Sequence, residues 1–188
     1  MQIDQEITLI RDTLGTIIPA GEERIIPAGT TVSISQALGG SVTVRTPDGL
    51  YRIPSKDWDA LGKEMQSYLK KKSETNSSPL PDLAFSESLI WDALKQCYDP
   101  EIPLNIVDLG LIYDLKYTEP DEAKLREVSV QMTLTAQGCG MGPVIAEDAK
   151  NQMESISCIS KANVTIVWEP PWNPHMISEE GRQKLGLE

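Results

Sequence analysis

The chain has a single histidine, a single phenylalanine and only three cysteines in 188 residues. With His175 as the sole imidazole and no C-x-x-C, the usual four-ligand zinc set cannot be assembled from one chain. Cys97, Cys139 and Cys158 are an odd number without close pairing, so they do not make a disulfide framework. No uninterrupted apolar run reaches about 18 residues, which excludes a membrane-spanning helix. Met1-Gln2-Ile3-Asp4-Gln5-Glu6 lacks the basic start and apolar run of a secretory signal. Basic residues are scarce too: 17 Lys and Arg stand against 28 Asp and Glu, a formal charge of −11. Nucleic acid and anionic membrane both attract basic surfaces, so neither is expected as a partner. Together these absences point to a cytoplasmic protein with reduced thiols, and the 40% apolar content is enough for a core.

What is present is concentrated in Met132-Thr133-Leu134-Thr135-Ala136-Gln137-Gly138-Cys139-Gly140-Met141-Gly142-Pro143. Val128, Val130, Met132 and Leu134 alternate with polar residues as in a half-buried strand. The strand runs out into a turn containing Gly138, Gly140 and Gly142, and Pro143 suits the first position of a helix. A thiol at Cys139 would lie near unpaired backbone N–H groups and the positive end of a helix dipole, which favour thiolate. Such a site suits metal chemistry or nucleophilic attack. Against it stands the ordinary role of a cysteine as a small buried hydrophobe. The glycines do not make a phosphate loop, because Pro143-Val144 follow Gly142 where lysine and Ser/Thr belong, and the dinucleotide pattern fails at Pro143. One histidine on a proline-rich arm does not support a Ser-His-Asp set, although a Cys139–His175 pair remains open.

Composition divides the chain. Residues 1–71 read as an N-terminal β-rich module with a short helix. The sequence Ile17-Ile18-Pro19-Ala20-Gly21 recurs as Ile25-Ile26-Pro27-Ala28-Gly29, a pattern of tight turns. Strands are expected over Thr31–Ile34 and Ser41–Val44, with a hairpin turn at Thr46-Pro47-Asp48-Gly49. A helix is expected from Ser55 to Lys71, although Gly62 weakens it. Residues 72–82 are polar and proline-bearing, a linker by composition. Residues 83–188 then form the second domain. Its first helix has Ser86 as N-cap and Phe85 as a hydrophobic staple on Ile90, and ends at Asp99-Pro100. Cys97 lies on its apolar stripe and reads as core. Leu111, Tyr113 and Leu115 share one face of the next strand, and Cys158 sits in a connector before Val164–Trp168. Glu169-Pro170-Pro171-Trp172-Asn173-Pro174 leaves as a stiff arm before a short helix from Ser178 to Leu185. The order helix-strand-strand-helix-strand predicts an α+β sandwich with helices on one face of a small sheet, preceded by the all-β module.

The run Asp99-Pro100-Glu101-Ile102-Pro103-Leu104-Asn105-Ile106-Val107-Asp108-Leu109-Gly110-Leu111-Ile112-Tyr113 resembles the opening signature of the iron–sulfur cluster assembly (FSCA) domain family. Met132-Thr133-Leu134-Thr135, Gly138-Cys139 and Pro170-Pro171-Trp172 resemble later motifs of that family, in the same order, so the likeness covers about residues 85–188. The wider family usually has proline after its cysteine, where this chain has Gly140. Cys139-Gly140-Met141-Gly142 instead resembles the SufT branch. So do Gln36-Ala37-Leu38-Gly39-Gly40 and Arg52-Ile53 followed by Ala60-Leu61-Gly62, which are similar to that branch's leading domain. The resemblance implies an FSCA-like fold and a role in maturing iron–sulfur proteins, with the assembly machinery and client apoproteins as partners. It implies Cys139 as the functional thiol and a metal ligand, with Asp99, Glu101 and Thr135 as the polar residues around it, and no catalytic set.

An iron–sulfur cluster commonly wants four ligands, and one cysteine per chain cannot supply them. A homodimer would bring two Cys139 thiolates together across a two-fold axis, leaving a labile cluster or iron shared between chains. The remaining ligands would come from a partner, a small thiol or carboxylates such as Asp99. Alternatively the chain holds no cluster and presents Cys139 to a scaffold or client. Two other readings stay open: a thiol enzyme with His175 or Glu101 as base, and an adaptor that binds through the β module and the Trp172 arm.

Overall fold

A computed structural model describes residues 6–76 and 85–187. The chain divides into two compact units, Met1–Ser78 and Pro79–Glu188. The expected linker at 72–82 falls partly on residues 77–84, which lie outside the described ones.

In the first unit, strands β1 (Glu6–Thr8), β2 (Thr13–Ile18), β3 (Glu23–Ile26), β4 (Thr31–Leu38), β5 (Ser41–Thr46) and β6 (Gly49–Pro54) form one sheet. All its pairs are antiparallel, in the order β1-β4-β5-β6-β2-β3. The repeated Ile-Ile-Pro-Ala-Gly segments close β2 and β3, and each ends in a glycine at positive φ, Gly21 at 76° and Gly29 at 83°. Alternation in β5 and β6 drives Val42, Val44, Tyr51 and Ile53 into the core, where they meet Leu9, Val32 and Trp58. The expected helix from Ser55 is two pieces. A 3-10 turn over Ser55–Leu61 buries Trp58, Ala60 and Leu61, and Gly62 breaks it at φ 90°. Helix α1 then runs Lys63–Asn76, past the point where composition places the linker. Arg11 fastens the 3-10 turn: Nε and Nη2 donate to the Asp59 carboxylate at 2.7 and 2.6 Å, and Nη2 reaches Asp57 at 3.0 Å. The guanidinium bonds hold the Asp59 carboxyl below its usual range.

In the second unit, α2 (Glu87–Leu94), β7 (Ile112–Tyr117), β8 (Arg126–Met132), α3 (Gly142–Glu154) and β9 (Ile159–Ile166) follow the expected order, and α4 (Glu179–Leu185) closes the chain. The sheet order is β7-β8-β9, with β7 antiparallel and β9 parallel to the central β8. Val128, Val130 and Met132 turn to one face and are buried, with Ile90, Leu94, Ile145, Ala149 and Met153 of the helices also in the core. The opposite face of β8 carries exposed Glu127, Ser129 and Gln131, so this sheet is covered on one side only.

Two local expectations change. Helix α2 stops at Leu94 rather than Asp99, yet Cys97 in the following turn is still buried. A bulge between Ile112 and Asp114 sets Ile112 opposite Met132 and Leu115 opposite Val130, so Ile112 and Leu115 face inward and Tyr113 is the extra residue. Phe85 meets the Tyr117 ring edge-on at 4.8 Å, with the Arg126 guanidinium 4.2 Å above it. Among the described residues no helix is long and apolar enough to cross a membrane.

Candidate functional site

Because β9 runs parallel to β8 and β7 runs against both, three connections meet at one end of the sheet. They are residues 95–111 before β7, 133–141 after β8 and 167–177 after β9. Backbone bonds stitch them together: Thr133 N–H donates to the Leu111 carbonyl and Val167 N–H to the Met132 carbonyl, each at 2.8 Å.

Cys139 lies half-buried in the middle connection. The strand stops at Met132, two residues earlier than its alternation suggests, yet Leu134 remains buried and pins the loop to the core. Two of the loop's glycines do different work. Gly138 adopts φ 80° in open space, a conformation side chains rarely take. Gly142 is needed for room, since a Cβ there would come within 2.6 Å of Leu134 and 3.2 Å of Ile166. Gly140 lies half-buried between Cys139 and Met141. Gly142 N–H donates to the Cys139 carbonyl at 3.1 Å, so the cysteine sits one turn before α3, whose second residue is Pro143. Met141 is fully buried and anchors this turn.

Of the other expected site residues, Asp99 and Glu101 lie in the connection before β7, Thr135 in the one after β8 and His175 in the one after β9. Asp99 is buried, and its Oδ1 accepts from the N–H groups of Glu101 and Ile102 at 2.8 Å each. That oxygen holds a local turn. Glu101 is exposed and Thr135 half-buried. His175 is exposed in a short 3-10 turn, its N–H bound to the Asn173 side chain. Among the described residues, neither Glu101, Thr135 nor His175 hydrogen-bonds Cys139, and no three His, Cys, Asp or Glu side chains gather closely enough to hold a metal ion. Cys97 is 2% exposed. Cys158 precedes β9, and its carbonyl accepts from Arg126 N–H at the start of β8. It therefore lies at the far end of the sheet, about 20 Å of strand away from the Cys139 loop. Neither thiol joins Cys139.

Sequence reasoning missed the groups that hold this end in shape. Asp108 is 6% exposed. Its carboxylate accepts from Asn105 Nδ2 at 2.8 Å, Lys184 Nζ at 3.0 Å and Ser178 Oγ at 3.4 Å. Burial pushes this carboxyl up, but the hydrogen bonds from Lys184 and Asn105 outweigh it and leave the group below its usual range. The Asp108 carbonyl accepts from Ser178 N–H at 2.8 Å, which ties the arm and α4 to the loop. Trp172 Nε1 donates to the Leu109 carbonyl and Tyr113 Oη to the Pro170 carbonyl, both at 2.8 Å. Gly110, at φ 70°, lies so close beneath the Met176 backbone that a Cβ would run into its carbonyl. The spacing of Asn105 and Asp108 carries a local signal, since Asp108 N–H also binds Asn105 Oδ1 at 2.7 Å. Nothing local announces that Lys184 and Trp172 reach back to this loop.

Charge is unevenly shared. Pro79–Glu188 carries 18 acidic and eight basic residues, net −10, whereas Met1–Ser78 carries 10 and nine, net −1.

A family model described as iron–sulfur cluster assembly protein matches residues 87–166. The chain is similar to an Fe-S protein maturation auxiliary factor of Porphyromonas gingivalis, 41% identical over 102 residues, 54% of this chain and 92% of that protein. It is 36% identical over 99 residues to the Fe-S protein maturation auxiliary factor YitW of Bacillus subtilis, 53% of this chain and 92% of the relative. With the Fe-S protein maturation auxiliary factor SufT of Staphylococcus aureus the identity is 42% over 89 residues, 47% of this chain and 96% of the relative. Each relative is thus spanned almost completely by about half of this chain.

Proposed function

This chain belongs to the iron–sulfur cluster assembly protein family, and from that premise we propose that it assists the maturation of iron–sulfur proteins through the thiol of Cys139. The observation that carries the reading is the position of that thiol. It is half-buried one turn before α3, at the end of the sheet where three separate connections are bonded into one surface. Gly138 supplies the positive φ of its loop, Gly142 lets the turn into α3 close on Leu134 and Ile166, and the buried Met141 and Leu134 fix the loop on which the thiol is displayed.

The cluster or iron is cargo in this reading. A single chain brings one thiol to this surface, and Asp99 Oδ1 is already engaged by two backbone N–H groups. One chain therefore falls short of the four ligands a cluster commonly takes. A second copy, an assembly protein or the client must supply the rest, and loose holding suits handing on. The partners are the assembly machinery and client apoproteins, met in a cytoplasmic, reducing compartment by an acidic unit whose field favours basic docking surfaces.

The test is complementation of a strain lacking the gene. Cys139→Ser should fold with an unchanged melting temperature and leave client iron–sulfur enzymes inactive, whereas Cys158→Ser should restore them. Full client activity with Cys139→Ser would end this reading.

A further inference from the structure

β9 is an edge strand, and its outer side offers a short, symmetric run of unused backbone groups. Val167 N–H is bound to the Met132 carbonyl, so Val167, Thr165 and Asn163 direct their backbone groups toward β8. By alternation Ala162, Val164, Ile166 and Trp168 direct theirs outward. Ala162 N–H is already taken by Glu154 Oε1 at 3.0 Å. Beyond Trp168 the chain leaves this edge, since Pro170 has no N–H and its carbonyl accepts from Tyr113 Oη of β7. The free outward donors are thus Val164, Ile166 and Trp168, centred on Ile166, and none of the three N–H groups finds a partner among the described residues.

The side chains of this run also lack cover. Trp168 is 38% exposed, and Val164 and Ile166 are half-buried. All three fall on the inner face of the sheet by alternation, with Ile166 opposite Met132. We infer that two copies of this chain pair antiparallel through Val164–Trp168, about a two-fold axis at Ile166. Ile166 then exchanges two hydrogen bonds with its own counterpart, and each Val164–Trp168 pair across the axis exchanges two more, six in all. The same register sets each indole against a valine, so the exposed aromatic surface is covered by the pairing that satisfies the backbone. No charged side chain lies within the run, and it is self-complementary, as a two-fold interface requires.

This deepens the function proposed above and rests on it for its meaning. A two-fold axis between antiparallel neighbours stands perpendicular to the sheet, so both inner faces lie on the same side. Gly142 packs against Ile166, and Cys139 is bonded to Gly142. The two cysteine loops therefore flank the axis on one face, and the assembled site presents two thiols where one chain presents one.

The experiment is sedimentation of the full chain over a range of concentrations, with amide exchange read by residue. The wild type should dimerise, and protection of the Val164, Ile166 and Trp168 amides should rise with concentration. Trp168→Lys should weaken dimerisation at least tenfold. Ile166→Cys, made on a Cys139→Ser chain, should form a disulfide-linked dimer under a mild oxidant, whereas Thr165→Cys on the same chain, which the register sets opposite Val167 and not its own counterpart, should not. A chain that stays monomeric at about 100 µM, or a dimer whose three amides exchange as fast as in the monomer, overturns the inference. Should Trp168→Lys fail to fold, the wild-type exchange data decide alone. If dimerisation fails while Cys139→Ser still abolishes client maturation, the functional reading stands without it. If the dimer forms but Cys139→Ser matures clients, the pairing stands and that reading falls.

Discussion

Cys158 and Cys139 are both half-buried, at opposite ends of the same two parallel strands. The end near Cys158 is closed over shorter separations along the chain. Arg126 binds the Cys158 carbonyl through its own N–H and the Thr118 carbonyl through Nη1, and its guanidinium lies over Phe85. Thr118 lies eight residues from Arg126 across one turn, and Cys158 and Phe85 lie 32 and 41 away, so this closure spans moderate separations. The end near Cys139 is closed by distant parts of the chain. Trp172 reaches back 63 residues to the Leu109 carbonyl, and Lys184 reaches back 76 to Asp108. The contrast teaches where to look for function: a surface built from the most remote segments of the unit is dear in conformational entropy and persists because the fold over-determines it.

The comparison breaks most sharply at Gly110. Gly110→Ala places a Cβ against the Met176 carbonyl at a positive φ. Strain and overpacking together should cost about 3 kcal/mol. Amide exchange should accelerate in 98–111 and 167–177 while residues 117–128 at the opposite end stay protected. Uniform loss of protection would show that the two ends are not separately built.

Asp108 gives the next largest effect. Asp108→Ala removes the acceptor for Asn105 and Lys184, and with Lys184 half-exposed the loss should be about 2 kcal/mol. Because the folded-state carboxyl is held below its usual value, its contribution is present above the unfolded value of about 4 and fades as pH falls through the folded one. Lys184 is raised by Glu180 and Asp108, so its share is complete below about 10.5 and fades only as pH rises through its folded value. Urea unfolding of wild type and Asp108→Asn should therefore differ fully at pH 6 and converge in acid. A difference that persists unchanged in acid would remove the charged pair from the account.

These residues also mark the limit of what the sequence discloses. Periodicity sufficed to place α2, β8 and α3, because their apolar stripes report burial directly, although α2 and β8 end earlier than those stripes suggest. The bulge at Tyr113 was not legible, since an extra residue leaves the alternation of Leu111, Tyr113 and Leu115 looking intact. The 3-10 turn at Ser55–Leu61 is not distinguishable from the helix expected there, because buried Trp58 and Leu61 fit both periods. At the site, the cysteine turn was visible in its glycines and Pro143. The grip of Asp108 on Lys184 was not, because a partner 76 residues away leaves no trace in local pattern.

The smallest effect tests whether the end near Cys139 matters to function as well as to folding. Trp172→Phe keeps an aromatic ring in the arm and deletes only the N–H that meets the Leu109 carbonyl at 2.8 Å. Loss of one such bond should destabilise the unit by about 1 kcal/mol. Phe85→Leu, at the opposite end, removes a ring stacked between Tyr117 and Arg126 and should cost a similar amount. If the arm positions the surface around Cys139, client maturation should fall several-fold with Trp172→Phe and stay at the wild-type level with Phe85→Leu. Because the stability losses match, a drop with both would trace to stability alone, and a drop with neither would make the arm a structural strap. Only the unequal result ties the long-range bonds to the work of the thiol they surround.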